Sequence, residues 1–178
     1  RRRKPCNGLP TGTARLPASG PDRRSEAAGT TFADSATTMK VVILAAGVGR
    51  SLYPLTKDRP KALLEVRGVT LLDRLLAQTA GRGLTPVVVV GWERDKVVEA
   101  VRGWQRSLPT RVQIVVNPLY ERTHTLYSLW LAAGACRHDD VLVVDGDLIC
   151  EDALMAAVIE DRRPTLAVVD RARVMGDE

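Results

Sequence analysis

The sequence predicts an α/β fold of the Rossmann-like, three-layer α/β/α kind, in which helices cover both faces of a mainly parallel sheet. Segments with the apolar spacing of strands and of helices alternate along the chain from Lys40 onward, as they do in proteins built from βαβ units. The first strand, residues 41–44, is a continuous aliphatic run. Such a run is typical of a parallel strand that is buried on both faces.

The remaining elements follow in a regular order. Thr70, with Asp73 three positions later, has the spacing of a capping box and predicts the start of the first helix, which Gly81 and Gly83 end. Apolar residues at helical spacing predict three more helices, at residues 97–104, from Leu126 onward and at residues 152–160. Aliphatic runs predict four more strands, at residues 86–90, 112–116, 141–144 and 166–169.

Two of these elements lead to specific expectations about the core. In the third helix, Leu126, Leu129, Trp130 and Ala133 follow the spacing i, i+3, i+4 and i+7. This stripe predicts that they face the sheet and that Trp130 is a core residue, not a platform for a ligand. The strand at residues 141–144 is continuously apolar, so we expect it to be buried.

Composition indicates one globular domain that does not bind nucleic acid. The chain has 178 residues, of which 45% are hydrophobic and 4% aromatic, and its net charge is +5. Residues 1–38 hold seven Lys or Arg against three Asp or Glu, whereas the rest of the chain holds 19 against 18. We therefore predict a disordered basic extension at residues 1–38, with an organelle transit peptide as the alternative, and a nearly neutral domain at residues 39–178.

Cysteines, histidines and hydropathy bear on the compartment. Cys6, Cys136 and Cys150 are odd in number and lack metal-type spacing, and His124 and His138 are too isolated to complete a zinc site. No apolar run approaches the roughly 20 residues that span a bilayer. The expectation is a protein of a reducing compartment, without a membrane span, and hence cytoplasmic.

The turn after the first strand has the features of a phosphate-binding loop. Gly47 and Gly49 follow the strand directly, and residues without a Cβ let backbone N–H groups approach phosphate oxygens. Arg50 and Lys61 add positive charge, and Pro60 holds the chain extended just before Lys61. The dinucleotide-binding fingerprint lacks its third glycine, and the Gly-Lys-Ser/Thr of nucleotide hydrolases is absent.

A pair of carboxylates follows the strand at residues 141–144. Asp145 and Asp147 are separated only by Gly146, and hard oxygen ligands beside a phosphate site indicate Mg²⁺. The alternative is an ordinary β-turn, in which Asp-Gly is common. In parallel sheets the carboxyl ends of strands share one edge, so we expect Trp92 and Asn117 to lie near the glycine turn and these acids.

Three linked motifs resemble those of the nucleoside-triphosphate transferases that activate phosphorylated sugars and alcohols. They are Leu-Ala-Ala-Gly-Val-Gly-Arg-Ser-Leu at residues 44–52, Pro-Leu-Thr at 54–56 and Pro-Lys-Ala-Leu at 60–63. The family usually has arginine where this chain has Ser51, and Arg50 is the residue that can substitute for it. Family members continue through more of the sheet and supply another metal-binding acid, so the resemblance implies an incomplete C-terminal part, with Asp170 as a local stand-in.

Residues 117–129 resemble a second landmark, found in bacterial phosphocholine cytidylyltransferases and their inositol-phosphate relatives. The shared pattern is Asn-x-x-Tyr, a later asparagine that is His124 here, and Tyr-Ser-Leu at residues 127–129. His124 can still donate a hydrogen bond, but its charge varies near neutral pH. A helix-start residue that faces water is the alternative for His124, and an ordinary helix surface is the alternative for Tyr127 and Ser128.

The resemblance implies a role for each matching residue. Catalysis is assigned to Lys61 and Arg50, and Mg²⁺ binding to Asp147. Nucleotide binding is assigned to Leu44, Ala45, Ala46, Gly47, Gly49, Gly91 and Asp145. Substrate binding is assigned to Asn117, Tyr120, His124, Tyr127 and Ser128. For a quaternary ammonium group, which aromatic faces bind best, Tyr120, Tyr127 and Trp92 are the candidates, with scattered packing as the alternative.

The resemblance thus implies transfer of a cytidylyl group from CTP to phosphocholine, with release of pyrophosphate. Four alternatives stay open. The acceptor can be a sugar 1-phosphate or an inositol phosphate. The chain can be a nucleotide-binding module without turnover, or a metal-dependent glycosyltransferase, which shares the Asp-x-Asp pattern but lacks the glycine loop with Pro-Lys. A dinucleotide-binding domain is the fourth.

Overall fold

The computed structural model describes residues 39–107, 110–137, 139–161, 163 and 165–167. Strands and helices alternate within them as the sequence predicts, except for a short antiparallel two-stranded sheet before the first α-helix, which the sequence did not indicate. The strands are β1 (Met39–Ala45), β2 (Glu65–Val66), β3 (Val69–Thr70), β4 (Thr85–Val90), β5 (Gln113–Val116) and β6 (Asp140–Asp145). The α-helices are α1 (Leu71–Ala80), α2 (Arg94–Gln105), α3 (Thr125–Ala133) and α4 (Asp152–Glu160). Two short 3₁₀ helices, Arg50–Leu52 and Lys61–Leu63, precede β2.

The main sheet is parallel and has the strand order β5-β4-β1-β6. Val42 on β1 is the register partner of Val87 on β4 and of Val143 on β6. The chain first extends the sheet from β1 toward β5 and later returns to add β6 on the other side of β1. The strand order therefore reverses at β1, and the carboxyl ends beside such a reversal are where α/β sheets bind ligands.

Helices cover both faces of this sheet, which confirms the predicted three layers. One core cluster joins Val41 and Ile43 of β1 to α1, α2 and α4, and it includes the fully buried Leu72 and Val97. On the opposite face, Ala132 of α3 packs with the residues of β1 and β4 that alternate with the first set. Each fully buried aliphatic side chain contributes roughly 1.5–3 kcal/mol, so the two clusters hold β1 firmly in the centre.

The start of α1 is the capping arrangement that the sequence predicts. Thr70 is the N-cap residue, and its Oγ1 accepts a hydrogen bond from the backbone N–H of Asp73 over 3.0 Å. The helix ends at Gly81, and Gly83 adopts a positive φ of 69° in the turn that leads to β4. The capping hydrogen bond satisfies one of the free N–H groups at the helix start.

The predicted inner face of α3 is wrong except at Leu129, which is partly buried and packs against the cluster that contains Ala132. Leu126 and Trp130 are 75% and 66% exposed, whereas Ser128 and Ala132 are buried against the sheet. Positions two residues apart lie about 200° apart around a helix, so the two faces are opposite. The polar Ser128 faces inward because its Oγ accepts a hydrogen bond from the buried Asn117 amide, 3.0 Å away.

The prediction that residues 141–144 are buried is wrong for half of the strand. Val141 and Val143 are both 42% exposed, and Val144 alone of the four is buried. β6 is the outer strand of the described sheet, so one of its faces lacks the cover that β1 and β4 receive. In the predicted strand at residues 166–169, Leu166 and Ala167 are not in a strand, and the other two lie outside the described residues.

Other expectations also fall on residues that the structure does not describe. They are the extension at residues 1–38, Cys6, His138 and Asp170. Among the helices that the structure does describe, none combines the length and the apolar character needed to cross a membrane.

Candidate active site

A cavity of about 290 Å³ opens at the carboxyl edge of the sheet. Most of the residues to which the sequence assigns a function line it, although they come from four separate stretches of the chain. They are Leu44, Ala45, Ala46, Gly47, Gly49, Lys61, Asn117, Tyr120, His124, Ser128, Asp145 and Asp147. The sequence thus predicted which segments meet at this edge.

The floor of the cavity continues the hydrogen bonding of the sheet past the ends of its strands. The N–H of Gly146 donates to the carbonyl of Leu44 over 3.0 Å, and the N–H of Trp92 donates to the carbonyl of Ala46 over 3.1 Å. The N–H of Asn117 donates to the carbonyl of Val90 over 2.8 Å. These bonds fix the acidic turn and the glycine turn on the rigid centre of the fold.

The glycine turn presents free backbone donors to the cavity. Gly47 and Gly49 line it, and within the described part of the chain none of the N–H groups of residues 47–51 donates a hydrogen bond. Gly49 has φ 76°, in the left-handed region, and a Cβ there would lie 2.7 Å from Cγ of Lys61. Unpaired amides in a concave turn bind anions, so the turn suits phosphate oxygens.

Lys61 and Asp147, which both line the cavity, form an ion pair. Lys61 Nζ lies 3.1 Å from Asp147 Oδ2. Lys61 opens a 3₁₀ helix directly after the buried Pro60, and Asp147 follows Gly146, whose Cβ, if present, would lie 2.8 Å from the carbonyl oxygen of Leu44. The close approach at Gly146 requires glycine there and sets the position of the acid.

The carboxylates of Asp145 and Asp147 match Mg²⁺ chemistry. Both line the cavity, and the described residues contain no cluster of three or more His, Cys, Asp or Glu that could hold a metal. Mg²⁺ usually takes one or two carboxylates and completes its octahedron with water and substrate phosphates. The two carboxylates are therefore ligands that Mg²⁺ accepts when water and phosphate oxygens complete its coordination.

Asn117 organises the other end of the cavity. Its buried Nδ2 donates to Ser128 Oγ over 3.0 Å and to Thr123 Oγ1 over 3.1 Å, and its Oδ1 accepts from the N–H of Leu119. The amide therefore ties the loop after β5 to α3. His124, the N-cap residue of α3, makes no capping hydrogen bond with its side chain and lines the cavity.

Three predicted site residues do not line the cavity. Arg50 is exposed in the 3₁₀ helix after the glycine turn. Gly91 packs against Tyr120, because a Cβ added at Gly91 would lie 2.7 Å from Cβ of Tyr120. Tyr127 instead stacks on Trp130, with 5.5 Å between ring centroids. Of the three aromatic residues proposed to hold a quaternary ammonium group, Tyr120 lines the cavity whereas Tyr127 and Trp92 do not.

Sequence reasoning missed four residues that line the cavity. They are Ala62, Thr123, Thr125 and Gly146. Thr123 and Thr125 flank His124, so their position beside an assigned residue was the available signal. Their hydroxyls, with Ser128, make this end of the cavity rich in uncharged hydrogen-bonding groups.

The cysteines that the structure describes are not part of the site. Burial raises the pKa of the Cys136 thiol. The charge of Lys40 opposes this rise, and the charge of Asp139 adds to it. Burial also raises the pKa of Cys150, with Asp152 adding to the rise and Arg82 opposing it. Neither residue lines the cavity. Their thiols stay protonated and poorly nucleophilic at neutral pH.

Comparison with known proteins relates this arrangement to nucleotidyl transfer. The profile of the MobA-like NTP transferase domain matches residues 41–176. A CMP-5'-(3-aminopropyl)phosphonate synthase from Streptomyces rubellomurinus is 36% identical over 127 residues, which are 70% of this chain and 20% of the relative. The matched region covers about a third or less of the length of several curated relatives, among them this synthase.

Two solved structures share the fold. The CTP:phosphocholine cytidylyltransferase of Streptococcus pneumoniae is 28% identical, with a TM-score of 0.51 over 62% of this chain and 45% of that one. A putative glucose-1-phosphate thymidylyltransferase from Bacillus anthracis is 26% identical, with a TM-score of 0.61 over 69% of this chain and 50% of that one.

Proposed function

The chain belongs to the MobA-like NTP transferase domain family, and from this premise we propose that it transfers a cytidylyl group from CTP to a phosphorylated small alcohol, with phosphocholine as the acceptor. Two similarities support the choice of base. One relative is a CMP-5'-(3-aminopropyl)phosphonate synthase, and one structure of the same fold is a CTP:phosphocholine cytidylyltransferase. The resemblance of residues 117–129 to phosphocholine cytidylyltransferases supports the acceptor.

The observation that carries the proposal is the meeting of Lys61 and Asp147 beside the glycine turn in one cavity. A nucleoside triphosphate needs cations and backbone donors at its phosphates, and a divalent ion needs a carboxylate. The cavity offers all of these within one space, and we assign its other end, lined by Thr123, Thr125 and Ser128, to the acceptor.

The chemistry asks little of the protein beyond placement and charge. An oxygen of the acceptor phosphate attacks the α-phosphorus, the bond from that phosphorus to the bridging oxygen breaks, and pyrophosphate leaves with the electron pair. A phosphomonoester has a second pKa of about 6 and is mostly a dianion at neutral pH. No general base is needed, so alignment of two anions is the main task.

The residues divide this task between them. The free N–H groups near Gly47 and Gly49 would hold triphosphate oxygens, and Lys61 would exchange Asp147 for a phosphate oxygen when the nucleotide binds. Asp147, with Asp145 beside it, would hold Mg²⁺, which supplies positive charge at the phosphates. Arg50 is exposed next to the turn, and its role in this scheme requires it to swing toward the nucleotide.

A sugar 1-phosphate is the second candidate acceptor. Thr125 and Ser128 line the acceptor end, and their hydroxyls can donate to a polyhydroxylated ligand, whereas the Thr123 hydroxyl already donates to the carbonyl of Leu119. Tyr120 is the one described aromatic side chain that lines the cavity, whereas a quaternary ammonium group is best held by several aromatic faces. A putative glucose-1-phosphate thymidylyltransferase is among the solved structures that share this fold.

A matrix of substrates tests the proposal. CTP, UTP, dTTP and GTP are each combined with phosphocholine, an inositol phosphate and glucose 1-phosphate in the presence of Mg²⁺, and pyrophosphate is measured. We expect the greatest release with CTP and phosphocholine. Release with a sugar 1-phosphate in its place would select the second candidate.

Three further outcomes would overturn nucleotidyl transfer itself. Nucleotide binding without pyrophosphate release from any pair would indicate a module without turnover. Affinity for NAD that is indifferent to Mg²⁺ would indicate a dinucleotide-binding domain. Consumption of a nucleotide sugar with release of a nucleoside diphosphate would instead indicate a glycosyltransferase.

A further inference from the structure

Thr56 is a buried polar residue next to the glycine turn. It is 3% exposed, and its Oγ1 donates a hydrogen bond of 2.7 Å to the carbonyl oxygen of Gly49. The same oxygen accepts a second hydrogen bond, of 3.0 Å, from the N–H of Leu52. Two donors from different positions therefore fix the direction of this one carbonyl group.

The fixed carbonyl also sets the direction of a neighbouring donor. A peptide unit is planar and trans, so the C=O of Gly49 and the N–H of Arg50 point in opposite directions from one rigid plane. The N–H of Arg50 belongs to the set that donates no hydrogen bond within the described part of the chain. A rotation of this peptide plane would redirect the N–H of Arg50 and displace the backbone of Gly49, which lines the cavity.

Thr56 and Lys61 pack on the same glycine. A Cβ added at Gly49 would lie 3.1 Å from Cγ2 of Thr56 and 2.7 Å from Cγ of Lys61. The hydroxyl of Thr56 thus holds the backbone of Gly49, its methyl group packs beside that backbone, and the stem of Lys61 lies against the same spot. A shift of Gly49 would move both the amide donors and the cation.

We propose that Thr56 is a positioning residue for the triphosphate of the nucleotide, and this inference rests on the proposed function. Its hydroxyl holds the Gly49–Arg50 peptide plane and so fixes the backbone of Gly49, which lines the cavity. Thr56 itself does not line the cavity. It acts through Gly49, so its loss weakens nucleotide binding and leaves the binding of the acceptor unchanged.

The test compares two substitutions that separate shape from hydrogen bonding. Thr56→Val keeps the size and branching of the side chain and removes the hydroxyl, whereas Thr56→Ser keeps the hydroxyl and removes the methyl group. Thr79→Val is the matched control, because Thr79 is equally buried and donates to carbonyls of its own helix α1, away from the cavity.

Nucleotide affinity is measured by calorimetry with CTP and Mg²⁺, and the KM values of CTP and of the acceptor are measured from pyrophosphate release. We expect Thr56→Val to weaken CTP binding about tenfold, since a buried carbonyl loses a partner. The acceptor KM stays within about twofold of the wild-type value. Thr56→Ser and Thr79→Val bind CTP as the wild-type protein does.

Several results would overturn the inference. They are unchanged CTP binding in Thr56→Val, an equal loss in Thr79→Val, or an equal rise in the KM of the acceptor. If Thr56→Val does not fold, Thr56→Ser decides, because tenfold weaker CTP binding by this folded variant would contradict a role for the hydroxyl. If the wild-type protein binds CTP but releases no pyrophosphate, the proposed function fails, while the binding comparison still tests Thr56.

Discussion

Lys61 Nζ and Asp147 Oδ2 lie 3.1 Å apart although 86 positions separate the two residues in the chain. Both side chains are partly exposed, and ion pairs at such positions contribute about 0–1 kcal/mol to stability. The pair is therefore too weak to be needed for folding. Its position between the glycine turn and the acidic turn fits two charges that separate when a phosphate and a cation arrive.

Replacement of Lys61 by methionine should abolish most turnover. Methionine keeps an unbranched stem against Gly49 but removes the charge, and loss of one such electrostatic group typically costs about 10²–10³-fold in rate. Pyrophosphate release at saturating nucleotide measures the effect. Lys57→Met is the control, because Lys57 is an exposed lysine in the same connection and does not line the cavity. Turnover within about threefold of wild type in a folded Lys61→Met protein would remove Lys61 from the mechanism.

Asp147→Asn should weaken the dependence of nucleotide binding on Mg²⁺. The amide keeps the shape of the carboxylate and loses its charge, so CTP affinity in the presence of Mg²⁺ should fall about tenfold or more. Calorimetry with and without Mg²⁺ measures this directly. Asp140→Asn, at the opposite end of β6, should behave as wild type. An unchanged gain in affinity from Mg²⁺ in Asp147→Asn would assign the metal to other groups.

Two glycine-to-alanine substitutions should have effects of opposite sign. A Cβ at Gly91 would lie 2.6 Å from the carbonyl oxygen of Ala46 and 2.7 Å from Cβ of Tyr120, so Gly91→Ala should destabilise the fold by about 1–3 kcal/mol. Gly103 lies inside α2 with open space around it, and Gly103→Ala should stabilise by about 0.5–1 kcal/mol. Urea unfolding measures both. Equal stability of the two variants would contradict the packing of Tyr120 on Gly91.

Cys136 and Cys150 should react slowly with iodoacetamide in the native protein. Because burial raises the pKa of both thiols, the reactive thiolate forms only at higher pH than in a free cysteine, whose pKa is about 8.5. Their alkylation rates, followed by peptide mass spectrometry, should still increase with pH above the pH at which the rate of free cysteine has levelled off. Urea should remove the difference. Reaction of either native thiol at the rate of free cysteine would show that it is not protected.

Local patterns and strand order made much of the fold predictable from the sequence. The alternation of elements, the cap formed by Thr70 and the turn at Gly49 depend on residues close in the chain, and the structure has all three. The meeting of Gly47, Asn117 and Asp147 in one cavity followed from a general property of parallel sheets, whose strands end at one edge. These features need no knowledge of how particular side chains pack.

Features set by distant contacts were not predictable in this way. The apolar stripe of α3 pointed to Trp130, but the hydrogen bond between Asn117 and Ser128 turns the opposite face inward. The exposure of Val141 and Val143 depends on the outer position of β6, which periodicity does not reveal. The packing of Tyr120 over Gly91 is likewise a tertiary contact. In each case a contact with another element, or the place of a strand in the sheet, decided what the local pattern did not.

The hydrogen bonds that extend the sheet under the cavity should give the backbone amides around the cavity unequal rates of hydrogen exchange. The amides of Trp92, Asn117 and Gly146 are bonded to the central strands, so their exchange with deuterated water should require opening of the sheet itself. The amides of residues 47–51, which make no such bonds within the described part of the chain, are free to exchange by small fluctuations. Exchange under native conditions should therefore separate the two turns, with the amides of the glycine turn labelled first and the amide of Gly146 among the last.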